Sequence, residues 1–253
     1  MLTPRVCVIT VAFNEEYMLP QFIEHHLQFA SKIHIIDGGS TDCSHKIIEK
    51  YGSSVELDIR PSDTLDDVSL LDIRNNTAAA LSHEHYDWFA VVDVDEFIVG
   101  DVLPILHNCK EEVYRITPYH MVGDPSVVHE VFNPADCQTG LLDYQWGDKS
   151  VLFRSGIEPR YSIGCHSASP INSLDRRPAT INMDRRLQVR HYQMYDLNQY
   201  LKKSALAAAR LSARNKQHGY GVNRQRACTE EFHKYWNSSE RVNVPMLYQS
   251  QTW

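Results

Sequence analysis

Three carboxylates fall within four residues at Asp93, Asp95 and Glu96, directly after the apolar run Trp88-Phe89-Ala90-Val91-Val92. Carboxylates repel one another and each is costly to desolvate, so such a cluster at a strand end requires a counter-charge. A bound cation, neighbouring Lys or Arg side chains, or open water would each serve. Asp93-Val94-Asp95 supplies hard oxygen ligands suited to Mg2+ or Mn2+, ions that take one or two carboxylates plus substrate phosphates. A DxD by itself is a weak motif, but polar groups follow apolar runs upstream as well. Asn14, Glu15 and Glu16 stand in "AFNEE", and Asp37 opens "DGGSTD". Asp37 could accept from a nucleobase N–H. It could equally only close a tight βα turn, with Ser40, Thr41 and Asp42 capping the next helix.

The elements that must position these groups are legible as a pattern. Continuous apolar runs predict strands at 6–11, 33–37, 55–59 and 88–93, and the intervening stretches predict helices near 17–30, 44–51 and 70–81. This alternation argues for an α/β domain with a mainly parallel central sheet and helices on both faces. In such sheets ligands bind outside the carboxyl ends of the strands, where all three polar groupings sit. Beyond residue 100 the alternation weakens. Strands are expected at 112–117 and 149–154, separated by an irregular segment, 118–147, of the kind that shapes acceptor sites. Leu197, Tyr200, Leu201, Ser204, Ala208 and Leu211 share one helical stripe, which predicts an amphipathic helix over 196–216.

In this order the motifs "VAFNE", "DGGSTD" and "DVDEF" resemble the nucleotide-sugar-binding half of the GT-A glycosyltransferases, and in particular glycosyltransferase family 2 and its DxDEF relatives. The likeness is good over residues 5–100 and looser to about His166. The resemblance implies a GT-A fold (nucleotide-diphospho-sugar transferase), with residues 1–195 as catalytic domain. Within it, 1–100 would be the nucleotide-sugar half and 101–195 the acceptor and metal half, followed by a helical extension over 196–253. It implies that Val11, Phe13 and Asn14 line a base and ribose pocket, that Asp37 accepts from the base, and that Arg74 in "LDIRNN" lies near base and phosphates. Asp93 would face the ribose or a metal-bound water, and Asp95 would ligate Mn2+ or Mg2+. His166 in "IGCH" is similar to the downstream histidine that completes the metal shell, and Lys149 to a lysine that meets the diphosphate. Gly38 stands where family 2 has a second Asp, and no "ED" pair supplies the base for an inverting transfer. Asp124 and Asp148 are the candidate bases, ahead of Glu158 and Glu96.

These features point to a metal-dependent transferase moving a sugar from a nucleotide-diphosphate donor, a UDP-sugar foremost, to a glycan or lipid-linked acceptor with inversion. Two other classes remain open. A sugar-phosphate nucleotidylyltransferase would need a glycine-rich basic loop after the first strand, where this chain has "AFNEE". A non-catalytic nucleotide-sugar or glycan-binding module would explain the missing base.

The composition is that of an ordinary globular domain, 43% hydrophobic and 23% charged, which excludes extensive disorder. Six scattered cysteines without a CxxC pair predict reduced thiols rather than a disulfide framework or zinc knuckle. The N-terminus lacks a signal-peptide pattern, so a cytoplasmic location is expected. Leu197 to Thr229 holds seven basic residues and no acidic ones within a chain of net charge −7. That run suggests an anionic partner, either an acidic acceptor or a peripheral membrane contact. Nucleic acid fits poorly, because few aromatics interleave the basic residues and the rest of the chain is acidic.

Overall fold

The computed structural model describes residues 3–81, 85–142, 149–165, 167–182 and 186–244. Strand β1 (Val6–Ala12) leads into α1 (Leu19–His26), β2 (Lys32–Asp37), α2 (Ser44–Glu49), β3 (Val55–Ile59), α3 (Asp67–Leu81) and β4 (Trp88–Val91). Strands β5 (Glu96–Val99), β6 (Val113–Val122), β7 (Thr139–Leu142) and β8 (Lys149–Arg154) follow, with α4 (Val102–Asn108) between β5 and β6. Short strands β9 (Ile157–Glu158), β10 (Ile171–Asn172) and β11 (Ile181–Asn182) precede β12 (Gln188–Met194). Helices α5 (Leu197–Ala209), α6 (Ala213–His218) and α7 (Thr229–Trp236) and strand β13 (Val242–Asn243) complete the described chain.

The main sheet runs β13-β7-β6-β8-β4-β1-β2-β3, with β11 and β12 joined to β6 and β5 joined to β12. Pairing is parallel across β3, β2, β1 and β4. It becomes antiparallel at β4–β8, β8–β6 and β6–β7. The expected parallel sheet is therefore the first half of a mixed one.

Period-two alternation explains why the parallel strands read as unbroken apolar runs. Val6 and Val8 face a core shared with Leu19, Phe22 and Ile23 of α1 and Ile105 and Leu106 of α4. Cys7 and Ile9 face the opposite core, with Ala78 and Leu81 of α3. Both faces of β1 are dry, so every position favours an apolar side chain. The same strands present their carboxyl ends together, at Ala12, Asp37 and Val91.

The C-terminal region departs from the expected single helix over 196–216. Asp196 is a cap rather than a helical residue, its carboxylate accepting from Gln199 N at 2.9 Å. The helix stops at Ala209, and α6 restarts under Ser212, whose Oγ accepts from Asn215 N at 3.0 Å. Between them Leu65 and Leu211 form a parallel bridge that ties the break to the segment before α3. No disulfide joins any of the six cysteines; four are buried, Cys43 is exposed and Cys228 intermediate. No helix among the described residues is long and apolar enough to cross a membrane.

Candidate functional site

The acidic corner forms because β4 ends one residue before the carboxylates and β5 begins at the last of them. Val92 is still buried, and Glu96 N donates to Asp93 O at 2.9 Å to close the turn. Glu96 then points back beneath the turn. Its Oε2 accepts from Asp93 N at 2.9 Å, and its two oxygens lie 2.7 and 2.6 Å from Lys149 Nζ at the start of β8. Glu96 and Lys149 are both buried, so the lysine expected at the diphosphate is held instead in an internal ion pair. Burial works against the ammonium, but Glu96 and Asp93 overcome it and keep Lys149 charged. The same pair removes Glu96 from the candidate bases.

Asp93 pairs with the Arg74 guanidinium, delivered by α3. Burial disfavours the Asp93 carboxylate, yet Arg74 and then Lys149 outweigh it and hold its pKa at about 2. Arg74 thus stands in the corner, and its Nε has no protein partner among the described residues.

Asp95 is set by β12. Tyr192 N donates to Asp95 O at 2.8 Å, which brings the preceding residue, His191, to 3.5 Å from Asp95 Oδ1 through Nε2. His191 is register partner to Glu96 on β5 and to His120 on β6, and the two imidazole rings lie 5.0 Å apart. Burial opposes the imidazolium, but Asp95 prevails and raises the His191 pKa above 6.5. From α5, Lys203 Nζ lies 2.8 Å from Glu15 Oε1 and 3.5 Å from Asp95 Oδ2. Against the cost of burial, Lys203 and then His191 lower the Asp95 pKa. For Glu15 the balance is reversed: burial exceeds the help of Lys203 and pushes its carboxyl up to about 7. The counter-charges at the strand end are therefore Arg74, Lys149, Lys203 and His191.

Among the described residues no group of three or more His, Cys, Asp or Glu side chains is arranged to hold a metal ion. The Asp95–His191 pair still converges one oxygen and one nitrogen donor. That set fits Mn2+ or Mg2+ provided the remaining ligands come from substrate phosphates. His191, on a strand three residues before the end of β12, was not selected from sequence. The chosen His166, and the candidate base Asp148, lie outside the described residues.

The "DGGSTD" turn is committed to itself. Asp37 is fully buried, and its carboxylate accepts from Gly39 N (2.9 Å), Ser40 N (2.8 Å), Ser40 Oγ (2.5 Å) and His45 Nε2 (2.9 Å). These bonds outweigh burial and lower its pKa. The structure shows Asp37 closing the turn, the second of the two roles its sequence position allows. Asn14 also serves the turn: its left-handed backbone (φ 54°) lets Oδ1 accept from Thr41 N at 2.7 Å while its own N donates to Ser40 Oγ at 2.8 Å. Val11 packs on the α3 side of the sheet. Phe13 lies beneath the Arg210 guanidinium, whose carbon is 3.3 Å from the ring centroid.

Asp124 sits just past β6, on a loop pinned to β12 by Gly123 N donating to Met194 O at 2.9 Å. It accepts from Ser126 N and Oγ at 2.9 and 2.7 Å. Glu158 is paired with Arg176 at 2.6 Å.

The basic run does not lie wholly toward solvent. Lys203 enters the corner, Arg210 covers Phe13, and Arg214 lies 3.5 Å from Asp66. Three of the seven cations are thus used within the chain, and nothing in the geometry supports a membrane contact.

The family model of glycosyltransferase family 92 matches residues 5–133, slightly more than half of the chain, and so spans β1 to β6 but not β7 to β13. The chain belongs to glycosyltransferase family 92. Family 2, to which the motifs bear a resemblance, is not the family matched. Comparison with curated proteins finds no match.

Among solved structures the family 92 chain is similar to S. aureus TarS, with 14% identity and a TM-score of 0.44 over 81% of this chain and 39% of that one. A TarS 1-349 structure in complex with UDP-GlcNAc gives 15% identity and 0.42, covering 87% and 72%. Glucosyl-3-phosphoglycerate synthase from Mycobacterium tuberculosis, in complex with Mn2+, UDP and glucosyl-3-phosphoglycerate, gives 18% and 0.32, covering 46% and 44%. The chain spans less than half the length of full TarS and of the synthase, and TM-scores below 0.5 make these likenesses of outline only.

Proposed function

We propose that this chain transfers a sugar from a nucleotide-diphosphate donor, a UDP-sugar foremost, to an acceptor hydroxyl at the corner formed by Asp93, Asp95, His191 and Arg74. The observation that carries the reading is the convergence of these four side chains at the carboxyl ends of β1, β2 and β4, in a family of glycosyltransferases.

Asp95 and His191 would hold a Mn2+ or Mg2+ ion, which supplies Lewis-acid stabilisation of charge on a departing diphosphate. Arg74 adds a fixed guanidinium on the α3 side. Its Nε is unpaired and its fork geometry suits phosphate oxygens, so it can bind donor while keeping Asp93 oriented. Asp95, His191 and Arg74 are mostly shielded from water, which strengthens their interactions, whereas Asp93 is more open. For inversion a base must take the acceptor proton, and Asp124 and Asp148 keep that assignment, Asp124 from a loop anchored beside β12. A glycan or a lipid-linked glycan is the acceptor class proposed.

Asp95→Ala is expected to reduce transfer from UDP-sugars by at least about a thousandfold, since it removes a ligand of the cation that would stabilise the departing diphosphate. The assay is release of UDP with and without Mn2+ over a panel of UDP-sugars. Wild-type turnover by the variant would remove the proposal. Binding of UDP-sugar by the wild type, with no hydrolysis or transfer by any donor, would favour a binding module instead.

A further inference from the structure

Lys203 reaches the acidic corner from a different part of the chain than its other members, and it contacts two carboxylates there. Its Nζ lies 2.8 Å from Glu15 Oε1 but 3.5 Å from Asp95 Oδ2, so the Glu15 contact is close and the Asp95 contact loose. An ammonium carries three donors, and Glu15 does not exhaust them. The helix that bears it is fastened at both ends. Asp196 accepts from Gln199 N and from His129 N, at 2.9 and 3.0 Å. Beyond the other end Leu65 N donates to Arg210 O at 2.6 Å, and Ser212 Oγ donates to Asp66 at 2.9 Å. Arg210 lies seven residues after Lys203, two helical turns along the same face, and covers Phe13. The polar face of α5 therefore lies across the strand ends, one cation over the carboxylates and one over the aromatic ring.

We propose that Lys203 is a donor-binding residue that exchanges one partner. Resting, it neutralises Asp95 where a divalent cation would otherwise be needed. When cation and nucleotide enter, it keeps both Glu15 oxygens, at 2.8 and 2.9 Å in the free protein, and turns its remaining donor from Asp95 to the diphosphate. The helix stays in place and only the end of the side chain moves, because both helix ends are tied. Lys203 thus competes with the metal for Asp95 in the free protein and assists the nucleotide once the metal is bound. This rests on the transferase reading above.

The test uses the full chain and two binding measurements. Mn2+ binding without nucleotide is followed by electron paramagnetic resonance of the free ion, and UDP binding at saturating Mn2+ by calorimetry. Lys203→Met is expected to bind Mn2+ at least about tenfold tighter, because Glu15 and Asp95 lose their cation. The same variant is expected to bind UDP at least about tenfold more weakly, because a charged contact to phosphate is gone. Lys203→Arg should return both constants toward wild type. If Lys203→Met lacks a cooperative thermal transition, Lys203→Gln carries the same two readings. The absence of either change, or weakening of both ligands alike, overturns the role assigned to Lys203. A wild type that binds neither Mn2+ nor UDP instead removes the transferase reading on which it rests.

Discussion

Glu96 and Lys149 show how a single ion pair decides which carboxylates of "DVDEF" are available for chemistry. Their side chains are 6% and 8% exposed, so each charge survives only because the other is present. Lys149→Met should cost about 3–5 kcal/mol of stability by leaving Glu96 buried and unpaired. The double variant Glu96→Gln, Lys149→Met should recover most of that loss, as read from urea midpoints at constant slope. If the double variant is as unstable as the single one, the pair is not what holds the turn. At this scale the sequence was informative where residue type and strand position coincide. Asp93 and Asp95 were legible as a DxD after a buried strand, and Arg74, on the helix that precedes that strand, through its resemblance to a family motif. Glu15 was visible in "AFNEE", but its partnership with a lysine 188 positions away was not. Asp37 left two readings open, and its four donors show the turn-building one.

Helix α5 is the element whose role the sequence concealed. Helical spacing separates an apolar stripe from a basic face, and solvent is the ordinary partner of such a face. Here the basic face covers a polar site, a distinction that periodicity does not encode. Strand β12 posed a different problem. Its pairing with β5, nearly a hundred residues earlier, sets His191 beside Asp95, and register across that separation depends on packing rather than on local pattern. By contrast the first four strands and the β8 boundaries were legible, because unbroken apolar runs between helical segments admit few alternatives. The anchoring of α5 makes its own prediction. Asp196 is buried and accepts from backbone N–H groups of both Gln199 and His129. Asp196→Ala should therefore destabilise the protein by about 2 kcal/mol, the upper range for a lost cap. Thermal unfolding that shifts by less than a degree would argue that these bonds are replaced by water.

Across the whole molecule, the face of the sheet covered by α1 has an acid-sensitive core. His25 and His26 are both buried between α1 and β5, with His25 Nε2 bonded to Ile98 O at 2.7 Å. Burial lowers the His25 pKa from 6.5 to about 4. The unfolded chain thus takes up a proton near pH 6.5, whereas the folded chain resists until about pH 4. The His25 contribution is full above 6.5, declines as the pH falls between those values, and is lost below about 4. The loss from His25 is about 3 kcal/mol. Urea midpoints from pH 7.5 to 4.5 should fall accordingly, and His25→Gln should flatten the slope; a midpoint independent of pH would contradict the burial. On the opposite scale from any one core, the sheet gathers the ends of β1, β2, β4 and β12 into a single corner. There a donor diphosphate would be received through a divalent cation at Asp95 and His191. Crystals grown with Mn2+ and UDP and measured at the manganese edge test it most directly. The account predicts an anomalous peak in contact with Asp95 Oδ and His191 Nε2 that also touches the diphosphate. A peak elsewhere, or UDP bound with no manganese in the corner, would contradict it.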